Sequence, residues 1–180
     1  MKKFTLTAIL ALSAITASAA DYASFDVDVV KDNATKKTSH AQYIRAGKAI
    51  DGIQYGLQGR TARYEDGSGV STSLELTAGK SIGLISPFVG IGHYNGFNGA
   101  QTYNYGLVGA TTGAKIGSGF ALAGVKTRVG STAATETHQT VLFTSYSVPV
   151  AKGISVNLNA SKSYQDIKEN ALGVGVGFSF

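Results

Sequence analysis

The sequence has no cysteine and no tryptophan, only 2 prolines in 180 residues, and charged side chains at just 15% of positions. Without cysteine neither a disulfide nor a thiolate metal site can form, so cohesion must come from backbone hydrogen bonds and apolar burial. Beyond residue 20 no stretch approaches the ~18 uninterrupted apolar residues of a membrane-spanning helix. The mean hydropathy of +0.06 is likewise too polar for a bundle of such helices. Modest net charge and plentiful β-branched and aromatic residues exclude a disordered chain. What is abundant is glycine, 23 residues, with 9 Tyr and 8 Phe. That mix, poor in helix formers, is the composition of an all-β protein.

The first twenty residues read as a leader. Lys2 and Lys3 form a positive end, Phe4 to Ile15 is uncharged and largely apolar, and Ala17-Ser18-Ala19-Ala20 supplies the small residues of a cleavage site. The segment is too short for a membrane anchor and predicts export, with cleavage after Ala19 or Ala20. Residues 21–180 then form one domain carrying 14 basic and 11 acidic residues, a net +3. No Lys/Arg cluster interleaved with aromatics points to nucleic acid.

The mature chain alternates. In Leu172-Gly-Val174-Gly-Val176-Gly-Phe178-Ser-Phe180 every even position is large and apolar and every odd one is Gly or Ser. Strand side chains alternate faces, so one face is a greasy ridge and the other nearly bare. The bare face suits the inside of a narrow closed barrel, and the ridge needs no protein partner if lipid covers it. The same period recurs in Phe25/Val27/Val29, Ile53/Tyr55/Leu57, Val70/Thr72/Leu74/Leu76, Tyr103/Tyr105/Leu107 and Val156/Leu158/Ala160, interleaved with polar or small residues.

A repeat sets the number of strands. Lys48, Lys80, Lys115 and Lys152 each sit in a short segment of small residues and Ile, spaced 32, 35 and 37 residues apart, about one hairpin plus its loop. More polar connections lie between them, at 31–40, 65–69, 95–101, 130–138 and 165–170. Four turns and five loops predict a transmembrane antiparallel up-and-down β-barrel of ten strands, with eight as the alternative. Tyr43, Tyr64, Tyr94, Tyr103 and Tyr164 then fall near the loop ends. Tyr22, Phe88, Phe120, Phe178 and Phe180 fall near the turn ends, and the two sets are predicted to form aromatic girdles at the two membrane interfaces.

Such a chain, exported, cysteine-free and ending on an alternating strand with a terminal Phe, resembles the small outer-membrane β-barrel proteins of Gram-negative bacteria. These include the outer-membrane-protein-A-like, opacity and porin-like barrels. The resemblance implies an outer-membrane location among lipid and lipopolysaccharide. It also implies that the barrel-assembly machinery reads Leu172, Val174, Val176, Phe178 and Phe180 during biogenesis. Ten strands depart from the eight usual in the smallest members.

Ten tilted strands enclose a backbone radius of ~10 Å, which inward side chains largely fill, so a wide pore is excluded. The predicted inward charges are Asp26, Asp28, Arg45, Arg60, Glu75, Lys126 and Arg128. Hairpin symmetry sets Asp28 opposite Arg45 and Arg60 opposite Glu75, while Lys126 and Arg128 lack an evident acidic partner. Two uses are open: ion pairs that rigidify the barrel, or a narrow water-filled path with an anion-attracting constriction. No catalytic activity and no cofactor are expected. His40, His93 and His138 have Gln42, Asn95 and Thr140 two residues on, where a Ser or Asp partner would be needed, and the loops are too short for a raised active site. The basic loop with Lys31, Lys36, Lys37 and His40 supplies an alternative, a surface-exposed adhesion or lipopolysaccharide-contact protein. A monomer is the expected state, and a soluble periplasmic β-sandwich is a third reading.

Overall fold

In the computed structural model, residues 21–96, 102–131 and 136–180 are described; the predicted leader, 1–20, lies outside them. The described residues form ten strands: β1 (Tyr22–Asp32), β2 (Thr38–Ile50), β3 (Ile53–Tyr64), β4 (Val70–Gly79) and β5 (Ile85–Asn95). They continue with β6 (Thr102–Ile116), β7 (Gly119–Ser131), β8 (Glu136–Ala151), β9 (Ile154–Gln165) and β10 (Glu169–Ser179). Each pairs antiparallel with the next, and β10 returns to pair with β1 over the whole length of β1, so the sheet closes. The eight-strand alternative is ruled out.

The short turns lie where the lysine repeat predicts them. The tightest is Asp51-Gly52, where both residues take positive φ (51° and 78°) and Ile50 pairs directly with Ile53. This is the two-residue turn whose twist matches antiparallel strands, and Asp-Gly is a favoured sequence for it. At the other end the strands run further than the polar composition predicts. Lys31 and His40 belong to β1 and β2, and β8 begins at Glu136. A ladder can continue beyond an apolar belt because polar side chains do not interrupt it; composition marks the edge of the belt, and hydrogen bonding marks the end of the strand.

Alternation sorts the side chains into two populations. Val27, Val29, Leu74, Leu76, Val89, Ile91, Val108, Leu142, Val156, Leu158, Leu172, Val174 and Val176 stand on the outer face and are exposed. Asp26, Asp28, Ser39, Ser71, Glu75, Gln139 and Ser163 are buried inside. This inverts a water-soluble protein, with the greasy face outward and the charged face buried. The strand β6 breaks the pattern in its upper half, where Tyr103, Tyr105 and Leu107 point inward and pack with Phe88 and Tyr94.

The glycines of β10 prove to be occupied ground. A Cβ at Gly173 would collide with the Asp28 carboxylate, one at Gly175 with the Asp26 carboxylate, and one at Gly177 with the Ser155 hydroxyl at 2.6 Å. The bare wall is where neighbouring polar side chains lie down. Gly175→Val is therefore expected to destabilise the barrel by ~1–3 kcal/mol, as overpacking does. A folding titration read by gel mobility checks this, and Gly106→Val, where a Cβ meets nothing within 4 Å, is the control.

Candidate functional site: the lumen

The seven sequence-predicted charges all line one interior cavity of about 780 Å³. Their partners differ from those that hairpin symmetry predicts. Asp28 pairs across the ladder with Ala41 and Arg45 with Ser24, while Arg60 faces Ser73 and Glu75 faces Gln58. The loops centre one to two residues from where polar composition places them, and a small slip of centre separates facing charges by a full turn of the pleat.

What forms instead is one connected network that leaves out Asp28, which is buried, makes no ion pair among the described residues and has no hydrogen-bond partner at Oδ1. The Asp26 carboxylate on β1 accepts from Arg45 on β2, from the Ser24 hydroxyl at 2.9 Å and from Asn159 Nδ2 on β9 at 2.8 Å. Arg45 Nε donates to Gln58 Oε1 on β3 at 2.9 Å, and Gln58 Nε2 reaches Glu75 Oε2 on β4 at 3.4 Å. Glu75 is the hub. It accepts from Lys126 Nζ at 2.6 Å, Arg128 Nε at 2.6 Å and the Tyr105 hydroxyl at 2.9 Å. Arg128 Nη1 then donates to Gln139 Oε1 on β8 at 2.6 Å. Side chains from eight of the ten strands thus meet across the interior. Lys126 and Arg128, which hairpin symmetry leaves without a partner, share the single carboxylate of Glu75.

Above this layer Arg45 and Arg60 hold Tyr43 between them, with guanidinium carbons 4.5 and 5.9 Å from the ring centre. Arg60 lies 3.6 Å from Glu169 Oε2. Val30, Ala41, Ala62 and Ala171 pack into a small apolar cluster against Tyr43. On the opposite side Tyr94 and Tyr103, with ring centres 5.3 Å apart, line the cavity. The linking residues that charge-based reading misses are Gln58, Tyr105, Gln139, Asn159 and Glu169. Gln58 was within reach of the sequence, because it shares a strand face with Arg60.

The predicted girdles need correction. Of Tyr22, Tyr43, Tyr64, Phe88, Tyr94, Tyr103, Phe120 and Tyr164, only Tyr164 lies on the outer-facing register. Tyr22, Tyr43, Phe88, Tyr94 and Tyr103 line the cavity. Tyr64 alternates in step with Arg60 and the buried Ala62, and Phe120 with Lys126 and Arg128. Height along a strand is readable from sequence, but the face a ring takes follows from parity with the inward charges. In the C-terminal strand Leu172, Val174, Val176 and Phe178 share the outer face, and exposed Phe180 follows, its N–H donating to Asp21 O at 3.2 Å.

The loop cations are partly matched. Lys37 pairs with Asp66 at 3.0 Å and His40 with Glu65 at 3.2 Å. Hydrogen bonds from Ser68, with Lys37 adding to them, hold the Asp66 carboxyl down at about 2, so Lys37 keeps an ionised partner across ordinary pH. His93 contacts Asn104 at 2.8 Å, and His138 lies 3.5 Å from Glu136. The three histidines stand on separate strands of the outer wall.

No protein-family model and no curated protein matches the chain. Among solved structures, the β domain of the Bordetella autotransporter BrkA superposes with a TM-score of 0.52 at 11% identity, covering 88% of this chain and 98% of that one. Neisserial surface protein A is also similar, with a TM-score of 0.45, 12% identity and coverage of 88% and 95%. KdgM porin has a TM-score of 0.45, 10% identity and coverage of 87% and 99%. At such identities the likeness is one of fold, and it places the chain in the class of closed outer-membrane-type β-barrels.

Removing the hub should expose what it balances. Glu75→Ala leaves Lys126 and Arg128 buried without a carboxylate and is expected to cost ~3–5 kcal/mol. Adding Lys126→Met and Arg128→Met should recover most of that loss. Urea unfolding of the barrel in micelles or bilayers checks both.

Proposed function

We propose that the protein is a non-catalytic outer-membrane barrel whose lumen is a narrow polar path for small ions and solutes. One observation carries this reading. The cavity is continuous from Asp21, Lys48 and Gln54 at the turn-side mouth to Tyr94, Ile167 and Glu169 toward the loops. Along β9 it is walled by Ser155, Asn157, Asn159, Ser161 and Ser163, side chains that hydrate readily and obstruct little. An apolar exterior with a polar, ion-paired interior is the distribution required when lipid lies outside and water inside.

The Glu75 layer is then the constriction. Each of its charges has a partner, so its selectivity is mild, and two cations sharing one carboxylate leave a net positive charge that leans toward anions. Planar-bilayer recording of the refolded barrel tests the reading. Small, discrete conductance steps are expected, and a silent bilayer with inserted barrel would rule the channel out. Glu75→Gln, which keeps the side chain's shape but frees both cations, should move the reversal potential further toward anion selectivity.

A further inference from the structure

Charge in the constriction is matched, since Asp26, Arg45, Glu75, Lys126 and Arg128 all have ionic partners. The outer wall is different. Alternation sets Lys31 on β1, Asn170 on β10 and Lys162 on β9 on the outer face, and the register joins them into one row. Lys162 lies directly across from Asn170, and Asn170 across from Lys31. With strands ~4.8 Å apart, the two lysine backbones stand ~10 Å from each other with an amide between them.

The row lies near the loop ends of its strands, and Arg63, next to last on β3, continues the basic sector two strands from β1. Lys31, Arg63 and Lys162 are exposed, and none makes an ion pair among the described residues. Lys162 Nζ lies over the Tyr164 ring, 5.2 Å from its centre. Of the acidic groups at this end, Glu65 pairs with His40, Asp66 with Lys37, Glu169 with Arg60 and Glu136 with His138. Asp32 accepts from Ala34 N–H and Thr35, and Asp166 accepts from His138 N–H, so none lies within ion-pair distance of Lys31 or Lys162 among the described residues. The outer face of β4 to β8 carries no Lys or Arg among the described residues. Directly below the row stand Val29, Leu172 and Ala160, with Leu158 next on β9, and Val29, Leu172 and Leu158 are exposed and apolar.

We propose that this row is a binding site for a phosphate group of an outer-leaflet lipid. The phosphate sits between Lys31 and Lys162 with the second N–H of the Asn170 amide, whose first reaches Asn33 Oδ1 at 3.4 Å, as a neutral donor, and the acyl chains lie on the Val29, Leu172 and Leu158 face. Two observations specify an amphiphile: uncompensated positive charge at one height, and continuity with an apolar belt immediately beneath it. Lysine suits this role because its flexible stem spans the edge of the belt while its ammonium stays in the headgroup layer. The site takes Lys31 from the basic loop read in the sequence and moves the contact from the loop onto the strand wall, because Lys37 and His40 are drawn off by Asp66 and Glu65.

The inference rests on the membrane placement proposed above, and the test separates the two. Native mass spectrometry in neutral detergent, with lipid A added either doubly phosphorylated or dephosphorylated, needs no membrane insertion. The barrel is expected to retain the phosphorylated form selectively. Each cation removed should weaken retention about fivefold, so Lys31→Ser with Lys162→Ser loses most of it. Heat-modifiable gel migration confirms that the variants stay folded, and exposed Lys80→Ser at the turn end is the unaffected control. Equal retention of the dephosphorylated lipid, or unchanged retention by the folded double variant, overturns the proposal. Inorganic phosphate that displaces the lipid at low concentration shows a free-anion site and overturns the lipid assignment. Vesicles of phosphatidylcholine that fail to take up the barrel overturn the membrane reading and this inference with it, whereas uptake without selective retention overturns this inference alone.

Discussion

Pairing of β10 with β1 is the constraint on which the rest depends. An open ten-stranded sheet would leave two rows of backbone N–H and C=O groups without partners, at several kcal/mol for each group placed in hydrocarbon. Closure removes both edges, and the terminal residues reinforce it: Asp21 N–H donates to Gly47 O at 2.8 Å, and Ser179 N–H to Gly153 O at 2.9 Å. Once the sheet is closed, each residue has two possible environments, inside or outside, and parity along the strand decides which. Every other property of the molecule is a consequence of that sorting.

The interior must hold charge in a space ~10 Å in backbone radius. Two devices make this possible. The first is the run of glycines on β10, which lets Asp26 and Asp28 lie flat against the neighbouring strand instead of projecting into the lumen. The second is the sharing of one carboxylate by two cations and a hydroxyl, which satisfies several buried groups with few atoms. A buried pair roughly offsets its desolvation, whereas a lone buried charge does not. The network therefore adds little net stability, yet losing any member is expensive, which fixes the relative positions of eight strands. The same economy keeps the β9 wall, built of Ser and Asn, free for water.

The barrel itself was legible because its signals are local. Two-residue periodicity in Leu172 to Phe180 and the spacing of Lys48, Lys80, Lys115 and Lys152 are each read within a few residues of chain. The inward set of charges followed from parity alone. What sequence could not supply was anything non-local. Glu75 meets Lys126 and Arg128 from across the lumen, more than fifty residues away, and no hairpin symmetry reaches that far. The Asp28–Arg45 expectation failed for a narrower reason, a slip in the loop centre. The girdle reading failed because aromatic height was used without aromatic parity. Tyr43 alternates in step with Arg45, and Tyr103 and Tyr105 in step with Leu107, so these rings belong to the packing of the lumen.

That correction changes what stands on the outer face at the loop end. With the upper tyrosines turned inward, Tyr164 is the one member of the predicted girdle left on the outer face there, and the other residues on that face at that height are chiefly polar or basic: Lys31, His40, Arg63, Lys162 and Asn170. Tyr and Trp anchor by placing an amphipathic ring among headgroups; a lysine does so by extending an apolar stem and solvating its charge. The two solutions differ in specificity. A ring is indifferent to headgroup charge, while a row of uncompensated ammonium groups favours phosphate. Inside the barrel the low dielectric favours pairing, as at Asp26–Arg45 and around Glu75, and Asp28 is the interior carboxylate that has no ionic partner among the described residues. At the rim, water and headgroups screen the charge, so cations can stand without a protein partner and leave their electrostatic preference to the lipid. The same chain thus pairs most of its interior charges, where mismatch is costly, and leaves its unpaired outer-face cations near the loop ends of the strands, where solvent screens them.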